Sequence, residues 1–131
     1  MFQIDAFSRV PVYEQIIAQL ESFVLNDIFE SHTQLPSVRG LSVQLSINPN
    51  TIQKAYSELD RKGIIYSVPG KGCFISAEAK DILKNISRSK LDSFDSLVHE
   101  LKVAGVNKEE IIEHVDNIYK EGNSLWLLHK T

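Results

Sequence analysis

Two helical patterns in this chain are separated by only two residues, and this short break constrains the fold more than any other feature. The first pattern follows Ser37 and the second follows Asn48, with Ser46 and Ile47 between them. Ser and Asn are preferred N-cap residues, and Pro49 suits the first position of the second helix. Two helices joined so closely must turn sharply against each other, which is typical of a helix-turn-helix.

Patterns of other kinds flank this pair. Residues 12–29, which follow Pro11, carry apolar side chains at helical spacing and predict a preceding helix. After Gly63 the period changes, and residues 64–76 (IIYSVPGKGCFIS) predict two short strands joined by a glycine-containing turn. A helix-turn-helix followed by a two-stranded hairpin is a winged helix. The predicted fold class is therefore mainly α with a small β-hairpin.

Helical periodicity returns from residue 77. One apolar face ends near Gly105, Asn107 caps a further helix that stops at Gly122, and the apolar stretch SLWLL follows. We therefore predict a winged helix-turn-helix over residues 1–76 and a helical hairpin for dimerisation over residues 77–131. Two helices cannot bury such apolar faces alone, which favours a second copy related by a two-fold axis. The alternative is a monomer in which these helices pack onto the first helix.

The net charge of −3 hides an uneven distribution. Residues 36–76 contain five basic side chains against Glu58 and Asp60, a local excess of +3 on the segment with the helix-turn-helix and the hairpin. Local charge steers a polyanion more than the whole-chain balance does. The five basic residues are Arg39, Lys54, Arg61, Lys62 and Lys71.

Composition narrows the class of protein. Hydrophobic residues make up 43% and charged residues 24%, which is normal for a globular protein. No apolar run approaches the roughly 20 residues that span a bilayer, and the N-terminus lacks a basic-then-apolar signal pattern, so we expect a cytoplasmic protein without a membrane partner. The single cysteine, Cys73, cannot form an internal disulfide and fits a reducing compartment.

The helix that follows Asn48 is the third predicted helix of the chain, and its start carries short polar side chains suited to the major groove of DNA. Amide side chains can pair with adenine edges, threonine can contact a base or a phosphate, and lysine neutralises phosphate charge. Arg39 in the preceding helix could contact a phosphate or guanine, and Lys71 in the hairpin tip, next to Gly72, could approach the DNA backbone closely. The polar residues of the third helix are Asn48, Asn50, Thr51, Gln53 and Lys54.

Each of these residues also has an ordinary structural explanation. Asn and Thr are common caps, and a hairpin lysine is often only solvated. The complete set, in this order, favours DNA binding. A winged helix that contacts only other proteins is the main alternative, although it leaves the local basic excess unexplained. An enzyme is poorly supported, because no nucleophile motif or phosphate loop is present.

Metal and cofactor binding are also not predicted. No histidine lies three or four residues from another, so the spacing of a metal site on a helix is missing. We interpret the histidines as surface residues and predict no cofactor. They are His32, His99, His114 and His129.

Residues 10–76 resemble the N-terminal winged helix of the GntR family of bacterial transcription regulators. The motifs that carry the resemblance are PVYEQI, LPSVRGL, NPNTIQKAYSELDRKGIIY and GKGCFIS, in this order. The sequence NPNTIQKAYSEL and the short C-terminal part are similar to those of the YtrA-type branch. Many relatives outside this branch have Ser-Arg where this chain has Asn48 and Pro49, so the recognition turn here carries one positive charge fewer.

The resemblance implies a function and partners. It implies that Ser37 and Arg39 contact DNA together with the start of the third helix and the glycine-flanked hairpin tip. It also implies a homodimer joined by the C-terminal helices, on a pseudo-palindromic operator, often controlling a neighbouring transporter operon. A small-molecule effector in the dimer cleft is compatible with this picture, but the sequence names none. Repression is favoured over activation, because an occupied operator blocks polymerase without further contacts.

Overall fold

A computed structural model of the chain describes residues 1–121. Its contacts divide the chain into two compact units, one spanning Met1–Lys84 and the other beginning at Asn85. The first unit contains three helices, a two-stranded antiparallel hairpin and the start of a fourth helix. The elements are α1 (Val12–Leu25), α2 (Val38–Leu45), α3 (Pro49–Arg61), β1 (Ile65–Val68), β2 (Gly72–Ile75) and α4 (Ala79–Ser89). The predicted winged helix is confirmed.

Helix α1 ends four residues earlier than the apolar pattern predicted. It stops at Leu25, and Asp27 adopts a left-handed conformation with φ of 60°. The backbone N–H groups of Ile28 and Phe29 then donate to the carbonyl of Phe23, which reverses the chain. Ile28 is left 53% exposed, whereas the Phe29 ring packs edge-on against Phe23 at 5.3 Å. Phe29 thus contacts the core from a loop rather than from the predicted helix.

The tight turn between α2 and α3 follows the predicted caps. The Ser37 hydroxyl accepts from the Gly40 N–H at 2.9 Å, and the Asn48 side chain accepts from the Asn50 N–H at 2.8 Å. Ser46 between the helices takes a left-handed conformation with φ of 55°. Helix α3 turns one face into the core, formed by Ile52, Ala55, Tyr56 and Leu59.

The hairpin is short and is attached to the loop that precedes α2. Val68 pairs with Gly72, and the Lys71 N–H donates to the Val68 carbonyl at 2.9 Å to close the turn. On its other side β2 bonds to the connecting loop (residues 33–37), because the Leu35 N–H donates to the Cys73 carbonyl at 2.8 Å. The hairpin, which is the wing of the winged helix, is therefore bonded to the loop that leads into α2.

The N-terminal unit extends into α4, beyond the boundary at residue 76 that the sequence suggested. Ala79 and Leu83 are buried in its core, and Lys80 forms an ion pair with Asp27 at 2.7 Å. The first half of α4 therefore packs with the winged helix. The division of labour between a DNA-binding part and a dimerisation part stays a prediction.

The second unit contains the end of α4 and two further helices, α5 (Leu91–Val103) and α6 (Lys108–Lys120). The long apolar pattern is interrupted at Lys90, so α4 and α5 are separate helices. Gly105 has φ of 92° in the turn before α6, and the Asn107 side chain caps α6 by accepting from the Glu110 N–H. The predicted helical hairpin is thus formed by α5 and α6. The predicted stop at Gly122 and the stretch SLWLL lie outside the described residues.

No helix within residues 1–121 has the length and apolar character needed to cross a membrane.

Candidate nucleic-acid interface

Helix α3 presents a polar stripe on the side opposite its core face. Four side chains at spacings of three and four residues are exposed along it, while the residues between them are buried or half-buried. Hydrogen-bonding capacity therefore runs along one face of the helix. We call this set the outer stripe of α3: Asn50, Gln53, Lys54 and Ser57. Thr51, predicted as a contact, is half-buried beside it.

Two predicted contact residues also serve as helix caps. The Asn48 side-chain oxygen is used in its cap to Asn50, which leaves the donors of its amide NH2 group for another partner. Ser37 accepts the Gly40 N–H through its hydroxyl oxygen, so its own O–H can still donate. The structural and the DNA-contacting explanations of these two residues are therefore compatible. Both side chains are exposed.

Of the five basic side chains in residues 36–76, two form ion pairs and three do not pair with any described residue. Arg61 binds Glu58 at 2.7 Å, and Lys62 binds Glu21 at 3.3 Å. The Arg61 hydrogen bond lowers the pKa of the Glu58 carboxyl, which keeps that partner ionised. The other three cations form no ion pair with any residue of the described chain, and all three are exposed. They are Arg39 at the start of α2, Lys54 on the outer stripe and Lys71 at the hairpin tip.

The connecting loop joins the parts of this surface. The Tyr56 hydroxyl of α3 donates to the Pro36 carbonyl at 2.7 Å, next to Ser37. The Gln34 side-chain amide donates to the Lys71 carbonyl at 2.8 Å. We call α3 the recognition helix, because its start is the part predicted to enter the major groove. One short loop is thus bonded to the recognition helix on one side and to the wing tip (residues 69–72) on the other, and it leads directly into α2.

Several of these supporting residues were not singled out from the sequence. Tyr56, Gln34 and Ser57 were not among the contact residues predicted from the sequence. The helical spacing from Gln53 to Ser57 could have identified the latter, and the two side chains are bonded at 3.1 Å. Gln34 has no comparable signal, because its partner is 37 residues away in the sequence.

Metal-binding geometry does not appear in the part of the chain that the structure describes, where no three His, Cys, Asp or Glu residues converge. The His32 ring instead shares a hydrogen bond with the Tyr66 hydroxyl at 2.7 Å. Cys73 is half-buried on β2 and lies 3.4 Å from the Ser67 hydroxyl, as expected for a packed small residue. His129 lies outside the described residues.

Comparison with known proteins agrees with this geometry. Residues 12–75 match the family described as "Bacterial regulatory proteins, gntR family". The chain is 40% identical over 119 residues to the HTH-type transcriptional repressor YtrA of Bacillus subtilis (strain 168), covering 90% of this chain and 92% of YtrA.

Solved structures show the same fold. A GntR family transcriptional regulator from Listeria monocytogenes superposes with a TM-score of 0.68 at 33% identity, covering 87% of this chain and 98% of that one. The crystal structure of AraR(DBD) in complex with operator ORX1 aligns with a TM-score of 0.50 at 28% identity, covering 58% of this chain and 93% of AraR(DBD). The resemblance inferred from the sequence motifs is confirmed: the chain belongs to the GntR family of bacterial regulatory proteins and is a DNA-binding transcriptional regulator.

Proposed function

We propose that this regulator is a repressor that occupies a pseudo-palindromic operator as a homodimer. The observation that carries the proposal is the outer stripe of α3, which includes Lys54, together with Arg39 and Lys71; none of these three cations forms an ion pair with a described residue. A stripe of amides and hydroxyls suits base edges in the major groove, and the cations suit the phosphates on either side. A surface used only to contact protein has no need of this combination.

Each contact residue has a proposed task. The amides of Asn50 and Gln53 lie on the outer stripe and would pair with base edges, whereas Lys54 would neutralise a phosphate. The N-terminus of α3 adds the positive end of the helix dipole, which also suits phosphate. Because Gly72 has no side chain, the DNA backbone could approach Lys71 closely. The full proposed set is Ser37, Arg39, Asn48, Asn50, Thr51, Gln53, Lys54, Lys71 and Gly72.

Dimerisation is supported by the apolar groove between α5 and α6. No side chain of either helix is buried, and Phe94 and Leu97 are 45% and 52% exposed. A cavity of about 400 Å³ lies along both helices. Exposed apolar surface of this kind marks an interaction site, and a second copy of the same hairpin would cover it symmetrically. Its apolar lining comprises Phe94, Leu97, Val98, Leu101, Val106, Ile111 and Val115.

Repression is supported by the relative named a transcriptional repressor, which aligns along most of both chains. A two-fold dimer presents two copies of α3, so half-sites are expected about one helical turn, or a multiple of it, apart. Bound at a promoter, such a dimer would block polymerase. A neighbouring transporter operon as the target and a small effector in the dimer cleft remain predictions from the family resemblance.

A footprint on the DNA upstream of its own gene tests the proposal. Two protected segments related by a dyad, together with a dimer mass in sedimentation equilibrium, are expected. Addition of the protein should then reduce transcription from that promoter in vitro. A monomer that fails to bind this DNA at low ionic strength would overturn the proposal.

A further inference from the structure

Gln34 bonds to the wing tip although it lies outside the hairpin. Its side-chain amide donates to the Lys71 carbonyl at 2.8 Å, across 37 residues of sequence. The Gln34 backbone also forms an isolated antiparallel bridge with Phe74 on β2. Backbone and side chain therefore hold the same hairpin at two points, one of them at the residue proposed to contact phosphate.

Gly72 makes room for this side chain. A Cβ atom at Gly72 would lie 3.0 Å from the Gln34 amide nitrogen, closer than ordinary contacts, and the glycine has φ of 124°. The absence of a side chain at Gly72 thus lets the Gln34 amide lie over the backbone and reach the carbonyl of the preceding residue. Gly72 therefore has a role inside the protein in addition to its proposed closeness to DNA.

The bond links the wing tip to the recognition helix through a short path. Leu35 follows Gln34 and is buried, and Pro36 accepts the Tyr56 hydroxyl of α3. The Lys71 backbone is therefore two short steps from α3: one hydrogen bond to the connecting loop and another from that loop to Tyr56. Groups held in their bound geometry lose less entropy on binding, so a fixed wing tip should favour simultaneous contacts by α3 and Lys71.

We propose that Gln34 is a positioning residue for DNA binding, whose amide fixes the wing tip so that Lys71 meets the phosphate backbone while α3 occupies the groove. This inference rests on the phosphate contact proposed above for Lys71. Gln34 supplies no charge and needs no contact with DNA in this role. Its effect on affinity must therefore pass through Lys71.

Substitution of Gln34 by methionine tests the contribution of its side-chain amide alone. Gln34→Met keeps the length of the side chain but removes its donor, and because the bond is exposed, the fold should be retained. Gln34→Asn keeps the amide on a shorter side chain that no longer reaches the carbonyl, and it should behave like the methionine variant. Gln44→Met on α2 is a matched control, since Gln44 is also exposed and makes no side-chain hydrogen bond to another described residue. Thermal unfolding of each variant checks that it is folded.

The experiment is a fluorescence anisotropy titration of the duplex identified by the footprint, over a salt series. We expect Gln34→Met and Gln34→Asn to weaken binding by about two- to tenfold, the range for one lost hydrogen bond. The salt slope should stay at the wild-type value, because no phosphate contact is removed, whereas Lys71→Ala should reduce it by about one. In the Lys71→Ala background, Gln34→Met should have no further effect, because the group that it positions is gone.

The double variant separates the outcomes. Wild-type affinity for Gln34→Met, or an undiminished loss in the Lys71→Ala background, would overturn the positioning role while leaving the Lys71 contact in place. If Lys71→Ala itself changed neither affinity nor salt slope, the proposed phosphate contact would fail, and the inference about Gln34 would fail with it.

Discussion

The ammonium group of Lys54 lies 3.9 Å from the centre of the Tyr13 ring, so the recognition helix and the first turn of α1 meet at a cation–π contact. Tyr13 is half-buried, and its hydroxyl also donates to Glu14 at 3.2 Å. The ring thus restricts a long side chain that would otherwise sample many rotamers. Lys54 is one of the three cations without an ion pair to a described residue, so its placement matters for the field that DNA meets.

We expect Tyr13→Leu to weaken DNA binding, because the Lys54 charge loses the ring that holds it. Cation–π contacts at exposed sites contribute about 0.5–1 kcal/mol, which corresponds to roughly a two- to fivefold loss of affinity. Tyr13→Phe is the matched control, since it keeps the ring face and should bind within a factor of two of wild type. Tighter binding by Tyr13→Leu in an anisotropy titration would show instead that the ring competes with DNA for Lys54.

Salt dependence should distinguish the paired from the unpaired cations. Lys71→Ala removes a proposed phosphate contact and should reduce the slope of log affinity against log salt by about one, on all duplex sequences. Arg61→Ala should leave that slope near the wild-type value, because Glu58 already neutralises Arg61. Equal slopes for the two variants over 50–300 mM salt, about the range where such contacts respond, would contradict the assignment.

Asn50→Ala should change sequence preference rather than overall affinity. The Asn50 side chain lies on the outer stripe of α3 at its N-terminal end, where a recognition helix reads bases. Loss of an amide–adenine pair costs roughly 1–3 kcal/mol at that position of the operator. Competition against a panel of single-base operator variants measures the effect. A uniform loss on every duplex would indicate that the Asn50 side chain contacts only phosphate.

Local chemistry explains which parts of the fold the sequence predicted. The caps at Ser37 and Asn48 bond to residues at most three positions away, so the starts of α2 and α3 could be predicted from the sequence. The predicted end of α1 was wrong. The apolar period continues to Phe29, but Asp27 takes a left-handed conformation, and the helix ends before it. The contacts of Gln34 and Tyr13 were not predictable, since each joins residues about 40 positions apart and depends on how the elements pack.

The oligomeric state should respond to a charge placed in the α5–α6 groove. Leu97 lines that cavity, so Leu97→Lys would place an ammonium group among the apolar side chains of the proposed dimer interface, where its desolvation is costly. We expect the variant to sediment as a monomer and to bind the operator far more weakly. Val103→Lys is the control, because Val103 lies on the same helix, is 76% exposed and does not line the cavity. A dimeric Leu97→Lys protein would place the interface elsewhere.

Alkaline pH should destabilise the fold through Tyr56. Burial raises the pKa of its phenol well above the usual value of 10.0, and Cys73 adds to the shift. Above pH 10 the unfolded chain therefore releases this proton while the folded chain retains it. Stability is fully present below pH 10 and falls as pH rises further, by up to about 1.4 kcal/mol per pH unit from this residue.

Tyr56→Phe separates this effect from the hydrogen bond to Pro36. At pH 7 the variant should lose about 1 kcal/mol of stability, because the Pro36 carbonyl loses its donor. Between pH 10 and 11.5, roughly the range where an exposed tyrosine ionises, its stability should fall less steeply than that of the wild type. Urea unfolding at each pH measures both quantities. The other three tyrosines are present in both proteins, so an equally steep decline in Tyr56→Phe would assign the alkaline effect to them.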